Sequence, residues 1–322
     1  MKLASFEVET PVGTRRRVGV RDDDGTLVDV TTAYAADLES RGEADPLAVA
    51  ETHAPPEMAT FLQRGERAFD AARDAVAFVR DTDATEGPKG GRLRFDPDDD
   101  GVRLLAPLPR PNSIRDFMAF EEHVENSLGE EPPQVWYDTP VYYKGNPDSV
   151  VGPDEAVSWP SHSEQLDYEL EIAAVIGTRG TNIDAADADE YIAGYTVFND
   201  FSARDTQMQE MQGRLGPAKG KDFANAFGPS LVTADSFDLT DARMTAEVNG
   251  ETWSDGVAGE MYHSFADIVE HVSRDETLYP GDVLGSGTVG EGCGLELGRF
   301  LEKGDTVTLH VDGLGTLENT IR

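Results

Sequence analysis

Two glutamates two positions apart, Glu169 and Glu171 in the stretch LDYELEIAAVIG (166–177), are the first residues placed to do chemistry. Alternation along a strand puts them on one face, with Tyr168, Leu170 and Ile172 on the other. Two partly buried carboxylates at that spacing repel unless something positive compensates them, and a divalent cation is the simplest compensation. The competing reading is an exposed edge-strand face in a protein rich in glutamate. Asp200 closes the apolar run IAGYTVFNDF (192–201), where it can be a further ligand or cap the next turn. Asp116 and His123 are seven apart in PRPNSIRDFMAFEEHVEN (109–126). His123 reads as a general base or as a satisfied structural histidine. Lys219 and Lys221 share the glycine-rich GRLGPAKGKDFANAFGPS (213–230), which lacks phosphate-loop spacing. Lys221 therefore meets a carboxylate or an oxyanion, or pairs with its neighbour Asp222.

The elements that must carry these residues follow from pattern. Lys2 to Glu9, Arg15 to Val20 and Thr26 to Val30 read as strands, parted by turns at Pro11, Gly13 and Asp22-Asp23-Asp24-Gly25. Thr31 to Arg41 predicts a short helix. Apolar residues at helical spacing from Met58 to Val79, with Pro56 at the start, predict one helix over 56–80. The polar stretch Asp81 to Gly101 reads as a link, which divides the chain into a small N-terminal domain (1–102) and a main domain (103–322). Asn112 or Ser113 can cap a helix carrying Asp116 and His123 on one face. Thr139 to Gly145 predicts a strand, Ile183 to Tyr191 a helix or turn, and Met208 and Met211 read as packing residues on a short helix. Beyond Ser236 the pattern is short strands: a hairpin around Asn249-Gly250, then Asp282 to Gly287, Gly294 to Leu297 and Asp305 to Asp312, with Met261 to Val272 helical. The sum is an α+β, mainly β chain.

Composition narrows the function. The 322 residues carry 62 acidic against 27 basic side chains, a net charge of −35, with acids scattered along the whole chain. That surface suits high salt, where screening limits self-repulsion, so a halophilic source is expected. It argues against nucleic acid or an anionic membrane as partner. Only six lysines are present, and two of them flank Gly220. Cys293 is the sole cysteine, which excludes an intrachain disulfide or a cysteine-rich zinc cluster. No signal-like or membrane-spanning run is visible, so a soluble, cytoplasmic protein is expected.

Taken in order, ELE, NDFSARDTQ, GPAKGKDF, SGTVG and GLEL resemble the fumarylacetoacetate hydrolase family over about residues 103–322. The resemblance implies a mixed β-sandwich roll and a homodimer. It implies Asp116, Glu169, Glu171 and Asp200 as ligands of a divalent cation, Mg²⁺, Mn²⁺ or Ca²⁺ rather than zinc. It pairs His123 with Glu296 on a C-terminal strand, as a base that activates water, and gives Lys221 the stabilisation of a departing enolate. Arg204, Gln207, Tyr143 and Thr288 match substrate-binding positions. Met118 stands where the fumarylacetoacetate enzyme is similar except for a tyrosine. The implied reaction is hydrolysis of the C–C bond of a 1,3-diketo acid, fumarylacetoacetate or an acylpyruvate. Decarboxylases, isomerases of hydroxy-dienoic diacids and 2-keto-3-deoxy sugar acid dehydratases share the fold, and a non-catalytic protein holding a structural Ca²⁺ is the reading of another class.

Overall fold

The computed structural model describes residues 1–22, 24–82 and 84–322; Asp23, at the centre of the expected Asp22–Gly25 turn, and Asp83 lie outside the described residues. The architecture is mixed, mainly sheet. Its centre is a twelve-stranded sheet whose main path runs Arg94–Phe95, Leu27–Asp29, Gly13–Arg21, Lys2–Thr10, Asn225–Thr233, Ile192–Asp200, Leu170–Ile176, Asp282–Gly285, Ser113–Phe117, Tyr142–Gly145. Neighbours on this path are antiparallel except Asp282–Gly285 with Ser113–Phe117, which are parallel. The expected division near residue 102 falls where this sheet is continuous, because Lys2–Thr10 pairs with Asn225–Thr233.

Period-two alternation splits the side chains between two cores. On one face Ile114, Ala173, Val175, Phe198, Phe227 and Val283 join residues of the N-terminal helices Val30–Ser40 and Glu66–Thr82, such as Ala33, Ala72 and Val76. On the other, Phe117, Ile172, Ala174, Val197 and Leu284 pack against the helix Phe265–Ser273 and a second sheet. That sheet runs Glu251–Val257, Arg243–Val248, Thr306–Val311, Gly315–Thr320, all antiparallel, and buries Met244, Ala246, Val307 and Leu309. The Asn249-Gly250 turn has φ of 53° and 78°, as a two-residue hairpin requires.

On the first face the apolar row becomes polar two residues further along each strand. Ile114 is followed by Asp116 and Phe198 by Asp200; Ala173 is preceded by Glu171 and Phe227 by Asn225. Sheet geometry thus lays three acids from three strands at one end of one face.

Five expectations are corrected. Asp116 lies on a strand, Ser113–Phe117, and not on a helix with His123; the helix begins at Glu121 and runs to Leu128. Ladder bonds to two flanking strands outweigh the local helical pattern there. The expected helix over 56–80 is two, Met58–Gln63 and Glu66–Thr82, broken at Gly65 with φ +60°. Gly294–Leu297 is a helical turn, not a strand: its Gly294 and Leu295 amides donate to the Asp167 carboxylate at 2.8 and 2.9 Å, and Gly298 ends it at φ +66°. The stretch 81–101 contains the strand Arg94–Phe95 and buries Leu93 completely. Met208 and Met211, expected to pack, are 56% and 55% exposed on the helix Arg204–Gln212.

Candidate active site

Asp116, Glu169, Glu171 and Asp200 converge. All four are buried, and each offers a carboxylate oxygen within 4.8 Å of the others'. Glu169 precedes the strand Leu170–Ile176, where Asn199 Oδ1 accepts its backbone N–H at 3.0 Å. Glu171 accepts from the Thr288 hydroxyl at 3.3 Å and the Gly287 amide at 3.2 Å. Gly285 lies between the strands of Glu171 and Asp116, paired with Ala173 on one side and Asp116 on the other. A side chain there would collide with Asp116 Oδ1, so the glycine makes room for the carboxylate.

Two buried cations answer the acids. Lys221 Nζ lies 2.5 Å from Glu169 Oε2 and 2.5 Å from Asp200 Oδ2. Arg204 contacts Asp167 and Glu169, both at 2.8 Å, and donates to Gln207 Oε1 at 3.0 Å. Tyr143 donates to Asp200 Oδ2 at 2.6 Å. Burial pushes the Tyr143 hydroxyl well up, and the Asp200 charge adds to it. Burial alone would raise Glu169, but Lys221 and Arg204 together hold its carboxyl well below the usual range. Among the described residues no cation touches Asp116 or Glu171: burial, then the charges of Asp200 and Asp116 respectively, pushes both well up, Lys221 only partly offsetting this for Asp116. Burial also pushes Asp200 up to about 6, against the pull of Lys221.

The residues fit a hard divalent cation. Among the described residues Asp116 Oδ1 and Asp200 Oδ1 are buried with no hydrogen-bond partner, a costly state for a carboxylate unless a cation faces it. An all-oxygen donor set suits Mg²⁺, Mn²⁺ or Ca²⁺.

Beside this cluster stands a second one. Glu169 and Cys293 face each other in an isolated antiparallel bridge, and Leu170 donates to the Gly292 carbonyl at 3.0 Å. The segment so anchored presents Glu296, whose Oε2 is 2.9 Å from His123 Nδ1. Asn126 and the Glu291 amide donate to Glu296 Oε1 at 3.0 and 3.1 Å, and the Cys293 thiol donates to Oε2 at 3.3 Å. Burial works to raise Glu296, but the His123 bond and the other donors hold it below its ordinary value. An ionised carboxylate only accepts, so Nδ1 carries a proton, and in the neutral ring Nε2 then keeps its lone pair. That arrangement can move a proton.

Every residue expected from the sequence thus falls in one of two adjoining clusters. Asp167, Gly285 and Asn126 were not foreseen. Asp167 shares the Glu169 and Glu171 alternation, so the same pattern points to it. Gly285 and Asn126 carry no local signal, because one acts by being small and the other by a contact made across the fold.

Residues 112–322 match the family described as fumarylacetoacetate (FAA) hydrolase C-terminal. Oxaloacetate tautomerase Fahd2a, mitochondrial, of Rattus norvegicus is 34% identical over 271 residues, 83% of this chain and 80% of the relative. Oxaloacetate tautomerase YisK of Bacillus subtilis is 36% identical over 228 residues, 68% of this chain and 73% of the relative. The solved fumarylacetoacetate hydrolase from psychrophilic Exiguobacterium antarcticum is 27% identical and superimposes with a TM-score of 0.70, covering 99% of both chains. The chain belongs to the fumarylacetoacetate hydrolase family. Among the described residues no helix is long and apolar enough to cross a membrane.

Proposed function

We propose that this protein is an enzyme that makes and protonates the enolate of a small 2-oxo acid, with the keto–enol interconversion of an oxaloacetate-type diacid as its reaction. The observation that carries this is the adjoining pair of clusters: a proton-moving imidazole–carboxylate dyad next to a charge-stabilising group of acids and cations. Curated relatives named for oxaloacetate tautomerisation support the substrate class.

Asp116, Glu169, Glu171 and Asp200 would hold a divalent cation. When bound, that ion supplies Lewis-acid stabilisation for negative charge on a carbonyl oxygen. Lys221 keeps Glu169 and Asp200 ionised and adds positive charge where an enolate oxygen develops. Arg204 Nη2 is buried and has no partner among the described residues, which suits it to a substrate carboxylate, with Gln207 fixing its orientation. His123 Nε2 takes the enol hydroxyl proton, the O–H electron pair forms the carbonyl, the C=C pair moves to the adjacent carbon, and that carbon takes a proton back from the imidazolium, which resets the base. The reverse sequence regenerates the enol. Glu296 holds the imidazole in the required tautomer and stabilises it when charged.

The dyad also favours a second reading, hydrolysis of a 1,3-diketo acid. There His123 takes a proton from water, the resulting hydroxide adds to one carbonyl, the C–C bond breaks, and the departing enolate carbon is protonated. One experiment separates the two. Enol oxaloacetate and a set of acylpyruvates are offered with Mg²⁺, and products are followed by proton NMR. Faster approach to the keto–enol equilibrium without cleavage supports the tautomerase. Release of pyruvate from an acylpyruvate supports the hydrolase. No effect on any of these substrates by metal-loaded protein overturns both.

A further inference from the structure

Three chemically different donors meet beside the carboxylate group: a His123 ring nitrogen, Cys293 Sγ and a Glu296 oxygen, each within 4.8 Å of the others. Glu296 Oε2 is 2.9 Å from the imidazole nitrogen and 3.3 Å from the sulfur. Ligands of a tetrahedral zinc, at about 2.0–2.3 Å from the metal, stand roughly 3.3–3.7 Å from one another, so small side-chain shifts admit an ion. His123 and Cys293 are buried, and the Glu296 side chain is 1% exposed, so no bulk water competes for the three donors. The proton-moving role of His123 needs only the Glu296 partner, and it gives the thiol no part beyond its bond to Glu296.

We infer that His123, Cys293 and Glu296 form a second, inhibitory metal site that takes a soft or borderline divalent ion such as Zn²⁺ or Cd²⁺. Selection is by donor type. A thiolate and an imidazole favour soft ions, whereas the all-oxygen cluster next to it favours hard ones. Binding replaces two hydrogens. The thiol proton leaves to solvent. The Nδ1 proton is replaced by the metal, and the neutral ring takes a proton at Nε2 instead. Two protons therefore leave the donors and one returns, a net release of one per ion. The ion's two charges are balanced by the thiolate and the carboxylate, so the buried cluster, which carries one negative charge before binding, becomes neutral.

The consequence is a tautomer switch. With Nδ1 bonded to Glu296, the Nε2 lone pair is free to accept a proton; with Nδ1 bonded to a metal, Nε2 carries hydrogen and no longer accepts. Loss of turnover rests on the proposed role of His123, whereas binding does not.

The test uses full-length protein saturated with Mg²⁺ and titrated with Cd²⁺. The expected result is one equivalent bound with a thiolate-to-cadmium charge-transfer band in the ultraviolet, one proton released per ion, and a loss of activity that tracks the band. Cys293→Ser is expected to lose the band and to shift inhibition to higher Cd²⁺. In case that variant fails to fold, X-ray absorption at the zinc edge of the wild type is expected to show one sulfur in the first coordination sphere. A shell of oxygen and nitrogen only, inhibition relieved by excess Mg²⁺, or equal inhibition of a folded Cys293→Ser would overturn the site. A band with no loss of activity would overturn the inhibitory character of the site together with the role given to His123, whereas no band would overturn binding itself.

Discussion

Gly285 and Asp116 face each other across the one parallel pairing on the main path of the central sheet, and the glycine leaves the space that the Asp116 carboxylate fills. A methyl group there would meet Asp116 Oδ1 and would lie 2.9 Å from the ring of Phe198. Gly285→Ala is therefore expected to weaken divalent-ion binding about 10- to 100-fold, the range for displaced supports of a metal site. Overpacking should also destabilise by about 1–3 kcal/mol. Isothermal titration with Mn²⁺ and thermal melts check both; wild-type affinity in the variant would show that the glycine is incidental.

Lys221 is the only cation in contact with Asp200 among the described residues, and it shares Glu169 with Arg204. Lys221→Met removes the charge and keeps much of the volume. Breaking a buried pair leaves an uncompensated carboxylate, at a cost of about 3–5 kcal/mol. The loss should be largest in EDTA and smaller with Mg²⁺. Urea unfolding in the two conditions measures it, and equal losses would mean that the cation does not substitute for the lysine.

The pH dependence of the metal-free protein follows from three raised carboxyls. Burial is the leading cause for Asp116, Glu171 and Asp200, and Asp200 is pushed up to about 6. An acid whose folded pKa lies above its unfolded value binds its proton more tightly in the folded state. Its stabilisation is present at low pH and is lost as pH rises through the folded value. For Asp200 that window opens at the ordinary value of 3.8 and closes above about 6. A bound cation favours the ionised forms, so the melting temperature difference between Mg²⁺-loaded and EDTA-treated protein should widen as pH rises through about 6. Glu169 runs the other way: held low by Lys221 and Arg204 against its burial, it loses its contribution only as pH falls through its depressed value. A gap that narrows with rising pH would contradict this assignment.

Glu296→Gln tests the dyad. The glutamine fills the same space but presents an amide that can donate to Nδ1, which would leave Nε2 protonated. Turnover should fall about 10²- to 10⁴-fold, the usual worth of a positioned proton-transfer group, with KM little changed. Steady-state kinetics on the preferred substrate decide it; unchanged kcat would remove His123 from the chemistry.

A net charge of −35 should make stability salt-dependent. The screening length falls from about 10 Å at 0.1 M to about 3 Å at 1 M, so self-repulsion weakens steeply over that range. The melting temperature is expected to rise across it in KCl. Greater stability at the low end would exclude a halophilic design of the surface.

Much of the site was legible before any fold was known. Glu169 and Glu171 share a strand face because side chains alternate, and Asp200 ends a buried strand because the apolar run stops there. Local pattern misled where neighbours in space decide. Ser113–Phe117 has residues a helix accepts, but it lies between Asp282–Gly285 and Tyr142–Gly145 and bonds to both. Glu296 sits on a helical turn because Asp167, far away in the chain, accepts the turn's first two amides.

Residue types and spacing by themselves pointed to a mainly-sheet chain and to Glu169, Glu171, Asp200 and Lys221 as candidates; Asp116 as a further ligand came only with the family those motifs resemble. Only the tertiary structure decided how they meet. The strand Asp282–Gly285 enters from the C-terminal part of the chain and separates the strands of Asp116 and Glu171, and its glycine lets their carboxylates approach. Strand order and register are set by contacts between distant segments, which local alternation does not encode.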